Sequence, residues 1–298
     1  MSFPRWNPAD GVTIREPDGD GPGNWVGCPS VIRDRGRILL CYRRRRPRGE
    51  LDDRGYECCI AESADGVRFT DVWSVRKAEL AAASMERFDL HRDDDGRLLL
   101  YLSYEHPEDG RWRIDVVAAP SVEELDVSRR QTVLTPAGTG THAVKDPVVV
   151  RRGDDYLMFV STFLTPAGPA PTSLAVSRDG LRYEWRGTVL DVGAGWDGYQ
   201  ARLSAIIPVA GGFAGLYDGS AGPAEDTEER LGLARSPDLR RWERVSTEEP
   251  WLVSPHASGS LRYPDVVEVD DEYWIYYEVA RPDGAHELRV NRVAASLS

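Results

Sequence analysis

The sequence is poor in the residues that build metal sites, disulfide frameworks and membrane spans. Of 298 residues only four are cysteine, five histidine and three methionine. Cys28, Cys41, Cys58 and Cys59 crowd into one stretch and make no CxxC pair, which argues against zinc. They read as buried free thiols of a reducing compartment, with a redox pair such as Cys28 and Cys41 as the other option. His142, His256 and His286 lack ligand spacing, so no metal and no cofactor is expected. No apolar run is long enough to span a bilayer, and the first residues lack the basic, apolar and small-residue order of a secretory leader. A cytoplasmic location without a membrane partner is expected. Positive charge is also short. The 37 Lys and Arg face 49 Asp and Glu, a net charge of −12, and nucleic acid needs a basic footprint.

What the chain has is repetition. A short apolar strand, a tight turn and a second strand of large apolar residues recur five times, with turns near 36, 96, 153, 211 and 270. In the central copy Val148, Val149 and Val150 run into a turn at Gly153, and Tyr156 to Ser161 return. A period of roughly 59 residues with four strands per unit is the signature of a radially repeated β architecture. The expected fold is all-β: a five-bladed β-propeller of four-stranded antiparallel blades, one domain over residues 1–298. The last unit stops after its third strand, near Val293, so the N-terminal strand Val12 to Arg15 is expected to close the last blade. Ser63-Ala64-Asp65-Gly66, Ser177-Arg178-Asp179-Gly180 and Ser236-Pro237-Asp238-Leu239 are copies of one turn, each followed by an aromatic residue. Side chains committed to such a turn are structural rather than sugar-binding.

In antiparallel units, residues just before each first strand and just after each second strand converge at one mouth of the axis. The first set holds Trp25, Glu86, Arg87, His142, Lys145, Asp146, Tyr199, Gln200, Arg202, Arg262, Tyr263 and Asp265. The second holds Arg43, Glu105, Asp218 and Glu278, with Arg281 and His286 nearby. Carboxylates, cations and aromatic faces together suit a sugar, and paired carboxyl groups suit glycosidic-bond chemistry. The run Arg43, Arg44, Arg45, Arg46 and Arg48 reads either as a wet loop paired with Glu50, Asp52 and Asp53 or as a seat for an anionic substrate group.

The fivefold period, the Lys145-Asp146-Pro147 step, the Tyr156 to Ser161 strand and the Ser236 to Trp242 turn resemble the five-bladed propeller glycosidases of families 43 and 32. The resemblance covers the whole chain as architecture. It implies a glycoside hydrolase with an axial pocket, an Asp base on blade one, a second Asp that tunes, and a Glu acid. Asp146 matches the second Asp. Gly27-Cys28-Pro29 and Tyr199-Gln200-Ala201-Arg202 stand where the base and the acid belong, so two of the three carboxylates are missing. Glu86 and Glu278 are the best-placed replacements. With Asp146 they form the expected catalytic set, converging to the roughly 5–9.5 Å that glycosidases use. Trp25, Arg87, His142, Lys145, Tyr199, Gln200, Arg202, Asp218, Arg262 and Tyr263 are the expected contacts to a carbohydrate or a glycosylated small molecule. The alternatives are a propeller that binds carbohydrate without cleaving it, or a glycoside phosphorylase whose Arg43, Arg87, Arg202 and Arg262 hold an anion.

Overall fold

The five turns that set the period share one backbone conformation. Gly36, Gly96, Gly153, Gly211 and Asp270 all have positive φ, between 56° and 85°. Glycine enters that left-handed region without steric cost, and Asp tolerates it. A computed structural model describes residues 3–49, 53–225 and 227–295; Glu50 and Asp52, expected partners of the basic run, lie outside the described residues. Each turn joins two paired strands, as in Ala143–Arg152 with Asp155–Phe163, where Val148 faces Phe159 and Val150 faces Leu157.

Four antiparallel strands make each unit. Ala143–Arg152, Asp155–Phe163, Thr172–Ser177 and Glu184–Leu190 form one sheet; Gln200–Val209, Gly212–Ser220, Arg230–Ser236 and Glu243–Arg244 form another. A third sheet has its first strand split into Ser84–Met85 and Asp89–Arg92, both paired with Leu98–Glu105. The largest sheet contains two such units. Trp25–Asp34, Arg37–Arg45, Glu57–Ser63 and Thr70–Arg76 form the first, and Leu261–Val269, Glu272–Ala280 and His286–Ala294 belong to the second. Their backbones pair at one place, Trp25 with His286 in parallel. Val12–Arg15 pairs antiparallel with His286–Ala294, Val12 facing Val290, and so completes the last unit with a strand from the other end of the chain.

The cores lie between sheets. Leu39, Ile60 and Val75 of one unit pack with Leu98, Leu100 and Val117 of the next. Tyr101 and Val116 meet Val144 and Met158, and Phe159 and Leu174 meet Leu203 and Tyr217. The Ser–Asp turns rivet these joints. Ser177 Oγ accepts from the Asp179 and Gly180 amides, and Asp179 Oδ1 accepts from the Leu181 and Arg182 amides; Ser63 with Asp65 and Ser236 with Asp238 repeat the pattern. The aromatic that follows reaches the preceding sheet: Phe69 meets Tyr276 edge-on, Tyr183 meets Tyr101, and Trp242 meets Phe159. These turns are structural. First strands touch one another around the molecule: Trp25–Asp34 meets Asp89–Arg92, which meets Ala143–Arg152, then Gln200–Val209, then Leu261–Val269, which meets Trp25–Asp34 again. The arrangement is consistent with a propeller fold. Among the described residues no helix is long and apolar enough to cross a membrane.

Ile14 is buried among Tyr276, Leu288 and Val290, so the N-terminal strand belongs to the core. Ile14→Ala is expected to cost about 2–5 kcal/mol in chemical denaturation. An unchanged midpoint would mean that this strand contributes nothing to closure.

Candidate functional site

One register position recurs at the start of each first strand and points charge at the axis. Gly27 faces Arg43, Lys145 faces Ser161, Arg202 faces Asp218 and Arg262 faces Glu278. Glu86 holds the same place, its amide donating to the Ser103 carbonyl. Just beyond, the register slips in the strands of Gly27, Lys145, Arg202 and Arg262. Cys28, Asp146 and Tyr263, each followed by a proline, have φ of 54°, 55° and 49° there. A proline has no amide to lose from the ladder, which suits a bulge. Left-handed backbone at non-glycine residues costs about 1–3 kcal/mol and persists where the surroundings over-determine it.

The side chains form one buried network. Arg43 donates to Glu86 Oε1 at 2.6 Å and to Glu278 Oε2 at 3.1 Å. Arg262 donates to Glu278 Oε1 at 2.7 and 2.9 Å and to Glu229 Oε2 at 2.7 Å. Arg202 joins Asp218 at 2.9 Å, Asp146 at 3.0 Å and Glu229 at 3.2 Å. Lys145 Nζ lies 3.3 Å from Glu86 and 3.5 Å from Asp146. The three expected catalytic carboxylates thus converge, linked in pairs by Arg43 and Lys145. Gln200 donates to Glu229, and the Tyr263 hydroxyl donates to Asp146.

They do not share one exposure. Glu278 and Asp146 are 0% exposed, while Glu86 is 6% exposed and lines a cavity of about 230 Å³. His142, Lys145, Arg262 and Tyr263 also line it; Arg87, Tyr199, Gln200, Arg202 and Asp218 do not. Trp25, expected to contact sugar, is enclosed instead: His286 stacks on it at 4.4 Å, and the guanidiniums of Arg45 and Arg262 lie 3.9 and 4.6 Å from its centre. Arg87 donates to the Ser204 carbonyl and sits between Asp89 and Asp265, at 3.7 and 3.6 Å. In exchange the cavity gains Trp112, Glu229, Arg45 and Arg54, with Lys145 4.9 Å from the Trp112 ring centre. Trp112 begins a third strand and Glu229 precedes one, so a search confined to the ends of first and second strands passes over both.

Burial pushes the Glu86 and Glu278 carboxyls up, but the cations outweigh it: Lys145 and Arg43 hold Glu86, and Arg262 and Arg43 hold Glu278, below the usual carboxylate range. Glu229, buried but held by Arg262 and Arg202, stands at about 2. At Asp89 and Asp265 the sign reverses. Burial lifts Asp89 to about 7 and Asp265 to about 6, against the pull of Arg87. Gly27 has a plain steric reason: a Cβ there would come 2.0 Å from Glu278 Oε2, so no aspartate fits at that point. The four cysteines are free and buried, Cys28 and Cys41 included. Among the described residues no group of three or more His, Cys, Asp or Glu is arranged to hold a metal, and both His286 ring nitrogens face carboxylates, Glu278 at 2.8 Å and Glu228 at 3.2 Å.

Glu278→Gln leaves Arg43 and Arg262 short of a counter-charge, and a loss of about 3–5 kcal/mol in denaturant unfolding is expected. An unchanged stability would remove Glu278 from its central place. The raised Asp89 carboxyl binds its proton more tightly folded than unfolded. Its stabilising contribution is therefore complete below about pH 4 and lost as pH rises through about 7. Asp89→Asn cannot ionise, so its melting temperature relative to the wild type should climb between pH 5 and pH 8. A flat difference across that range would contradict the shift.

The sequence matches no family model, and no curated protein matches it. Solved structures do match the fold. A glycosyl hydrolase from Bacteroides ovatus aligns over 92% of this chain and 84% of its own, with a TM-score of 0.68 at 14% identity. The β-1,2-mannobiose phosphorylase from Listeria innocua aligns over 95% and 94%, with a TM-score of 0.69 at 17% identity. A thermostable family-43 glycoside hydrolase aligns over 94% and 92%, with a TM-score of 0.68 at 14% identity. At these identities the likeness is one of architecture: the chain has the fold of propeller-type glycoside hydrolases and phosphorylases.

Proposed function

We propose that the chain is one five-bladed propeller domain that binds a glycoside in the axial cavity and cleaves its glycosidic bond over Glu86. The observation that carries this reading is the position of Glu86: of the three converging carboxylates it is the one on the cavity wall. Held ionised by Lys145 and Arg43, it suits a base that activates the attacking oxygen, or a counter-charge to the positive sugar ring of the transition state. Lys145, held between Glu86 and Asp146, serves in this reading as the donor to the departing oxygen, with Asp146 as its positioning residue. Trp112 offers the aromatic wall on which a sugar ring packs. Glu278, with both oxygens taken by Arg43, Arg262 and His286, holds the site's shape rather than touching substrate. The fold neighbours include glycoside hydrolases and a mannobiose phosphorylase, which supports a glycoside as ligand and leaves water or phosphate as the attacking oxygen.

A second reading, binding without cleavage, is favoured by the charge state of the cavity: Glu86 and Glu229 are both held ionised, where a general acid needs a raised pKa.

A screen of aryl arabinofuranosides, xylosides, fructosides, galactosides and mannosides, with and without phosphate, tests both. Turnover is expected, and Glu86→Gln should lower it by about 10²–10⁴-fold with the fold intact. Sugar binding by thermal shift without turnover would establish the second reading instead.

A further inference from the structure

The basic run of the first unit divides between two faces of one strand. Alternation along Arg37–Arg45 puts Arg43 and Arg45 on one side and Arg44 on the other. Arg44 and, beyond the strand, Arg46 pair with Asp18, and Arg46 also pairs with Asp53. Arg43 is locked between Glu86 and Glu278. Arg45 lines the cavity with its guanidinium stacked 3.9 Å from the Trp25 ring centre; that guanidinium has no hydrogen bond or ion pair with any described residue, and its Nε is buried without a partner. Arg45 is only half-buried, so its Nη atoms rather than the enclosed Nε are open to an anion arriving in the cavity, and a guanidinium with no acidic partner is a ready seat for one.

The charge of the cavity points the same way. In a chain of net charge −12, five cations (Arg45, Arg48, Arg54, Lys145 and Arg262) share its lining with three carboxylates. Each carboxylate already has a cation: Glu86 has Arg43 and Lys145, Glu105 has Arg54 and Glu229 has Arg262. Burial and the neighbouring Arg43 push Arg45 down to about 10, so it stays charged at neutral pH in a surplus of positive potential. At about 230 Å³ the cavity is below the ~300–1,000 Å³ of ordinary small-molecule sites. That suits one sugar unit carrying its own anion better than a neutral sugar beside a separate one.

We propose that the cavity selects a carboxylate-bearing sugar, a hexuronic acid unit, whose carboxylate is gripped by Arg45. The proposal rests on the glycoside reading of the same cavity and narrows it to acidic sugars. The planar guanidinium fork matches a carboxylate in two parallel hydrogen bonds, which a lysine cannot reproduce.

The test is calorimetric titration of the full chain with glucuronate, galacturonate, glucose, galactose and inorganic phosphate at matched ionic strength. A uronate is expected to bind at least about tenfold tighter than its neutral sugar and than phosphate. Arg45→Gln should abolish that preference. Arg45→Lys, which keeps charge and bulk, should weaken it, and it decides the matter should the glutamine variant fail to fold. Equal binding of uronate and neutral sugar, phosphate binding as tight as uronate, or a preference that survives both substitutions would each overturn the proposal. Glu86-dependent cleavage of neutral glycosides without a uronate preference would sink this inference alone. Arg45-dependent uronate binding with no cleavage of any glycoside, glucuronides included, would sink the cleavage reading alone.

Discussion

The structure depends on one buried carboxylate. Glu278 receives Arg262 from the strand beside it, Arg43 from the unit at the other end of the chain, and His286 from the strand that follows. Taking these charges out of water costs several kcal/mol per ion, repaid only when every lone pair finds its donor. Both Glu278 oxygens do, and the same atoms tie the last unit to the first where their backbones pair at one place. Register and closure are thereby coupled. A slip of one residue in Glu272–Ala280 would turn Glu278 to the other face of the sheet and strand two arginines.

The same demand accounts for the strained backbone around the axis. Five strand starts crowd into one place, and straight ladders would send alternate side chains back into the sheets. Bulges beyond Gly27, Lys145, Arg202 and Arg262 turn the chain, and prolines after Cys28, Asp146 and Tyr263 make three of those bends permanent. Asp146 gains from this bend its contacts with Arg202 and the Tyr263 hydroxyl. Strain of this kind persists because the surrounding packing over-determines it.

The buried carboxylates differ in their counter-charge. Glu86 and Glu229 on the cavity wall are held ionised by arginine and lysine, whereas burial lifts Asp89 and Asp265, which share Arg87, and also lifts Asp218 beside Arg202.

The repeat is legible in the chain alone. Positive-φ turns, β-branched runs, Ser–Asp caps and an N-terminal strand needed at the C-terminal unit are local or periodic signals, and each reappears in the structure. The crowd of charges at the strand starts was legible too, because antiparallel pairing dictates which ends meet. What each charge faces depends on contacts between units. The bulge at Asp146 breaks the strict alternation that would assign its face, and both Asp146 and Glu278 are fully buried. Trp25 is enclosed by Arg45, its cross-strand partner in the first hairpin, and by His286, 261 positions away, which no local pattern announces. Trp112 and Glu229 reach the cavity from third strands and their approaches. Packing between units settles such contacts, and that packing joins residues whose separation in the chain carries no local signal.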